Sequence, residues 1–199
     1  MGLLAALLGA SSGVSCGGGA GGSCSTPAAC GGNIVGSWLV TSSCVQLTGT
    51  FSSSLCPTAT AVASLQYSGQ VSYTASMTYT LNASAGGTET IDFPVSCVTT
   101  TCDQIAQTLQ ASPPDGLTSI HCSAGAGGGC NCTATLAPQS TPETGTYTLS
   151  GTSITTSSST GGGETDSYCA VGDHLDIIPA TGSLSSGTTI SGSIGLTKQ

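Results

Sequence analysis

Eleven cysteines and two histidines are the residues of this 199-residue chain best suited to chemistry. His121-Cys122 and Cys130-Asn131-Cys132 lie either side of a Gly-rich stretch. Thiolate and imidazole ligands at such spacing suit zinc or copper(I). In an oxidising compartment the same thiols form disulfides instead, and so many cysteines without a metal role do not suit a reducing one. No metal is expected on that ground. Cys130 and Cys132 fall on one strand face, poorly placed to pair with each other, so a partner across the sheet such as Cys122 fits better. His174 is flanked by Asp173 and Asp176, and serines abound, so a Ser-His-Asp hydrolase can be imagined. Yet His174 falls beside a two-residue turn, on the face opposite Leu175 and Ile177, as a solvated turn histidine does. His121 is read as structural. Glu89, Asp115, Glu143, Glu164 and Asp166 fall in stretches read as loops. They lack the Asp-x-Asp-x-Asp spacing of a calcium loop, so a solvated rim is expected. No catalytic residue and no cofactor emerges, and the chain is not expected to be an enzyme.

Charge narrows the partners. Lys198 is the one basic residue against nine acidic ones, a formal net charge of -8. Nothing can neutralise phosphates, so nucleic acid is excluded, as is electrostatic docking to anionic lipid. Only 5% of residues are charged, so Ser, Thr, Asn, Gln and Gly must form the polar surface. Abundant Thr, Val and Ile favour strands, and clear period-two segments argue against disorder.

The N-terminal stretch is export and tether. Residues 1–15 hold a short apolar run, Leu3 to Leu8, followed by small residues, as a secretory signal does. The run is too short to span a bilayer. Gly13-Val14-Ser15-Cys16 resembles a bacterial lipobox, which implies lipidation of Cys16 and anchoring to the outer membrane. The alternative is an ordinary cleaved signal, with Cys16 in a disulfide. Residues 16–32 read as a Gly/Ser-rich tether in which Cys24 and Cys30 are close enough to pair with each other. With Cys16 lipidated, ten cysteines remain for five bridges: Cys24, Cys30, Cys44, Cys56, Cys97, Cys102, Cys122, Cys130, Cys132 and Cys169.

Residues 33–199 read as one all-β domain. Ile34, Trp38 and Val40 share a face of the first strand, and Gly36 on that face leaves room for a neighbouring ring or backbone. Leu65 and Tyr67 mark another strand. Val71, Tyr73, Ala75, Met77, Tyr79, Leu81 and Ala83 alternate with polar residues, as a half-wetted antiparallel strand does. Ala85-Gly86-Gly87 reads as a turn, and Ile91 to Cys97 as a strand made an edge or bulged by Pro94. Thr101 and Gln104 have capping-box form, which predicts one short helix closed by Pro113-Pro114. Cys130 to Leu136 alternates, Thr146 to Thr155 is two strands about a Gly turn, and Ile190 to Leu196 ends the chain. Gly172-Asp173 predicts a tight hairpin with Val171 opposite His174 and Tyr168 opposite Ile177. About eight to ten strands in successive hairpins suit an antiparallel meander, which hides its edges by closing into a β-barrel.

Gly36-Ser37-Trp38 resembles the G-x-W of lipocalins, and the tail Y-T-L-S-G-T-S-I-T, Y-C-A-V-G-D-H-L-D-I and I-S-G-S-I-G-L-T-K resembles the closing hairpins of bacterial lipocalin-like lipoproteins. The resemblance implies a calyx for a small apolar ligand, with Lys198 as the basic residue packed over Trp38. Gly36, Trp38, Tyr67, Tyr73, Met77, Tyr79, Phe93 and Tyr168 are the candidates to line it, or equally to fill a solid core. The expected protein is a monomeric, disulfide-stapled envelope lipoprotein. It either binds a small apolar molecule or serves as a passive structural or interaction module.

Overall fold

A computed structural model describes residues 24, 26–51, 56–113, 116–140, 142–180 and 188–199. Cys16 and most of the tether lie outside them. The elements are β1 (Gly36–Thr50), β2 (Thr60–Tyr73), β3 (Thr78–Phe93), α1 (Cys102–Ala111), β4 (Leu117–Ala124), β5 (Cys130–Ser140), β6 (Glu143–Ser150), β7 (Ser153–Ser158), β8 (Gly163–Val171), β9 (His174–Ile178) and β10 (Thr189–Lys198). They form one antiparallel ten-stranded sheet in the order β2-β1-β10-β9-β8-β7-β6-β3-β5-β4. Because β2 also pairs with β3, all strands but β4 and β5 join in a ring of eight.

The ring is a meander with one insertion. On one edge β3 pairs with β2 from Tyr79 to Asp92. Its other edge is divided: Thr78–Leu81 bind β6, and most of Ser84–Phe93 binds β5. The segment α1-β4-β5 therefore branches from the upper half of β3 before the meander resumes at β6. A second core fills this branch, with Ile105 and Leu109 of α1 packed among Phe51, Ile91, Phe93 and Ile120. Three bridges pin it: Cys56–Cys97, Cys102–Cys130 and Cys122–Cys132. The last joins residues directly opposite each other on β4 and β5. At the start of α1 the Thr101 hydroxyl accepts the Gln104 N–H at 3.3 Å, and the Gln104 side chain accepts the Thr101 N–H at 3.2 Å.

Several sequence expectations need correction. Val71 to Ala83 is not one strand but two, with a turn at residues 74–77. Tyr73 pairs with Tyr79, so the partners are an even number of residues apart and face the same side. A hairpin of that length keeps the period-two alternation running through its own loop. Met77 therefore stands 47% exposed in the turn instead of on an apolar face. Ala85-Gly86-Gly87 is not a turn but continuous strand within β3, paired in unbroken register with β2 and lying opposite a bulge in β5, where two residues stand between Gln139 and Leu136 against one between Ala85 and Gly87. A Cβ at Gly87 would run into the Ser64 carbonyl of β2. Pro94 does not bulge a strand: β3 ends at Phe93, and Cys97 lies in a 3-10 turn.

Cys24 and Cys30 do not pair with each other. Cys30 bonds to Cys169 and Cys24 to Cys44. The Cys30 and Gly31 N–H groups donate to the Tyr168 carbonyl at 3.1 and 3.0 Å, and the Ala170 N–H donates to Gly31 O at 2.7 Å. This short parallel bridge lays residues 30–32 along β8, so the nearest sulfur to each cysteine lies on the sheet. Residues 30–32 belong to the folded domain, not to a free tether. Gly32 has φ +111°, and a Cβ there would run into Ala170 O. We expect Gly32→Ala to cost about 2 kcal/mol. Thermal unfolding would show this as a midpoint about 4–8 °C lower; an unchanged midpoint would mean the clamp contributes little.

Candidate functional site

The ring interior is built by several strands together. At one end it is packed with aromatics. Trp38 is fully buried, and its indole N–H donates to Ile34 O at 2.7 Å. Trp38 of β1 faces Lys198 of β10 in register, and the Lys198 ammonium lies 5.4 Å from its ring centroid, within cation–π range. Gly36 makes room for that lysine rather than for a ring or backbone, because a Cβ there would meet Lys198 Cε at 2.8 Å. Tyr73 packs edge-on to Tyr147 at 5.1 Å between centroids. The Tyr147 hydroxyl donates to Thr74 O at 2.8 Å and that of Tyr168 to Gly32 O at 3.1 Å.

Beside Tyr73 lies a partly open apolar cavity of about 30 Å³, walled by Val71, Leu81, Ile194 and Leu196 together with Tyr67 and Tyr73. Of the sequence candidates, Tyr67 and Tyr73 reach this cavity. Trp38, Tyr79 and Tyr168 are buried in the surrounding core, Phe93 belongs to the second core, and Met77 stays outside. Tyr67 is unusual among them. Its hydroxyl is buried and has no hydrogen-bond partner among the described residues.

Four of the five acidic residues read as a loop rim, Glu89, Glu143, Glu164 and Asp166, lie instead on strands and are half-buried or buried. Glu164 and Asp166 share the inward face of β8 with Tyr168, and Glu143 opens β6 opposite Leu81. Asp166 is only 3% exposed, Glu143 is buried, and Glu164 is half-buried. The Tyr79 hydroxyl donates to Glu143. Asp166 accepts the Ala180 N–H at 3.1 Å. Burial pushes the Asp166 carboxyl up to about 7, the Glu164 charge adds to the rise, and the Ala180 N–H opposes it. Burial also raises the Tyr67 hydroxyl, with further contributions from Glu164 and then Asp166. Glu89 is half-buried on β3 and is likewise raised by burial. Asp115 lies outside the described residues. The signal for the inward acids was present in the sequence: the parity of Tyr168, extended backward, takes in Asp166 and Glu164.

The other candidates stay apart. His174 is exposed, with Nδ1 3.1 Å from Leu196 O, and His121 is exposed on β4 in register with Thr133. All ten cysteines from Cys24 onward are bridged. Among the described residues no group of three His, Cys, Asp or Glu side chains could hold a metal, and no helix is long and apolar enough to cross a membrane. Comparison with protein-family models, with curated proteins and with solved structures finds no match, so the site rests on its own geometry.

Proposed function

We propose that this chain is a non-catalytic binding module of the bacterial cell envelope, lipocalin-like and anchored through a lipid on Cys16, that takes a small, largely apolar ligand inside its ring of strands. The unpaired Tyr67 hydroxyl on the wall of an otherwise apolar cavity carries this reading. A buried hydroxyl with no partner costs about 1–3 kcal/mol, which a ligand offering one polar atom would recover. The G-x-W tryptophan with Lys198 across its ring supports the lipocalin-like part of the proposal. Export is supported by the five bridges.

A second reading is a structural or interaction module with a filled core. The cavity volume favours it: about 30 Å³ is far below the roughly 300 Å³ at which organic-ligand pockets begin. A ligand must then be only a few atoms across, or must displace Tyr67 and Tyr73. Two measurements separate the readings. Native mass spectrometry of the chain purified from a periplasm without reduction would show an adduct that leaves on denaturation. A bare protein would favour the filled module. Tyr67→Phe removes the unpaired hydroxyl and is expected to stabilise the ligand-free protein by about 1 kcal/mol in urea unfolding while weakening ligand retention. A loss of stability would mean that the hydroxyl is already satisfied, and would remove the main support for a ligand.

A further inference from the structure

We infer that residues 30–35 are a redox-released strap over one end of the ring: an external dithiol reduces the Cys30–Cys169 bridge, and the strap then lifts off β8 and uncovers Trp38. The strap fills a place the strands leave open. Pairing of β7 with β8 begins at Ser167, and residues 30–32 take the stretch of β8 beyond it through the hydrogen bonds of Cys30, Gly31 and Ala170. Gly32 O accepts the Tyr168 hydroxyl. Ile34 is fully buried in the ring core, and its carbonyl accepts the Trp38 indole N–H. Trp38 in turn stands opposite Val71, a wall of the cavity.

Two features set this bridge apart. Cys30 is the one exposed cysteine of those that are bridged, and its partner Cys169 is half-buried. Each bridge of the second core instead has at least one buried cysteine: Cys56, Cys130, or both Cys122 and Cys132. Exchange needs access for the attacking thiolate, which favours the Cys30 sulfur. The strap is also tied at both ends without Cys30. Cys24 is bonded to Cys44 on β1, and Gly36 opens β1 itself. Release is therefore local, and the short tether keeps the strap close to its seat for re-closing. The exchange balances. One thiolate of the dithiol attacks the Cys30 sulfur and Cys169 leaves as a thiolate. The second thiol then displaces Cys30, both cysteines take up protons, and the reductant ends as a disulfide.

The test is limited reduction of the native chain with dithiothreitol, alkylation of the freed thiols and their mapping by mass spectrometry. Cys30 and Cys169 are expected to be labelled at least about 10-fold faster than any other bridged pair. In the protein reduced at that bridge, the amides of Cys30, Gly31 and Ala170 should exchange hydrogen at least about 10-fold faster, with the β2–β3 ladder unchanged. Trp38 is the only tryptophan, so quenching of its fluorescence by acrylamide reads the uncovering directly and should increase. Earlier reduction of another bridge would overturn the switch. So would unchanged exchange and quenching after reduction, and so would loss of protection across the whole sheet, which would make the bridge a staple of the entire fold.

Discussion

Replacing Cys30 and Cys169 together by serine is expected to cost the fold about 4–5 kcal/mol, the largest loss from any one bridge. The two cysteines are 139 residues apart in the chain. A cross-link restricts the unfolded chain more as the loop it closes grows, and a loop of this length corresponds to about 5 kcal/mol of lost unfolded-state entropy. The bridge also fixes residues 30–32 on β8, so its loss frees the Gly31 hydrogen bonds to Tyr168 and Ala170. In urea the unfolding midpoint should fall by about 2 M. Removing Cys122–Cys132, which closes a loop of sequence separation 10, gives the comparison. Chain entropy alone assigns it about 3 kcal/mol. Equal losses from the two double variants would show that local packing, not loop length, sets what each bridge contributes.

Stability should also fall as pH rises through neutrality, because of Asp166. Its carboxyl moves from the ordinary 3.8 up to about 7 in the folded protein, chiefly through burial. The folded state therefore holds a proton that the unfolded chain has already released. Relative to the ionised carboxyl, the stabilisation is complete below pH 3.8 and is lost as pH climbs through about 7. A rise of that size corresponds to about 4 kcal/mol at most, and the protein should be of order 3 kcal/mol more stable at about pH 5 than at about pH 8.5. Glu89, also raised by burial, acts in the same direction. Asp166→Asn should raise stability at the alkaline end, about pH 8.5, and flatten most of the slope. Denaturant titrations of both proteins at the two pH values decide it. A slope unchanged in the variant would place its origin elsewhere.

The strands of the closing half were legible in the sequence because their turns are marked. Gly172-Asp173 sets the β8–β9 hairpin, with Tyr168 opposite Ile177 as the alternation requires. The capping box at Thr101 and Gln104 likewise marked α1. Around residues 71–87 the same reasoning failed. Side-chain alternation is blind to a hairpin whose paired residues share parity, so the loop at Met77 looked like strand. The glycines at 86 and 87 looked like a loop because close approach of a neighbouring backbone and a tight turn ask for the same residue. Ten bridging cysteines were countable, but partners such as Cys24 and Cys44 are brought together only by the sheet. The candidate site was half legible. Its tyrosines stand on apolar alternations, whereas Glu164 and Asp166 follow a Gly-rich run that hid the start of β8.

The two N-terminal bridges have a mechanical consequence. Cys24 is joined to Cys44 in the middle of β1, and Cys30 to Cys169 on β8. Tension applied to the chain upstream of Cys24 enters the sheet through sulfur at Cys44, without first peeling away the hydrogen bonds of residues 30–32. A domain held by that end passes shear from its surroundings straight into β1, between its two neighbours β2 and β10, and spares the short clamp of residues 30–32 on β8.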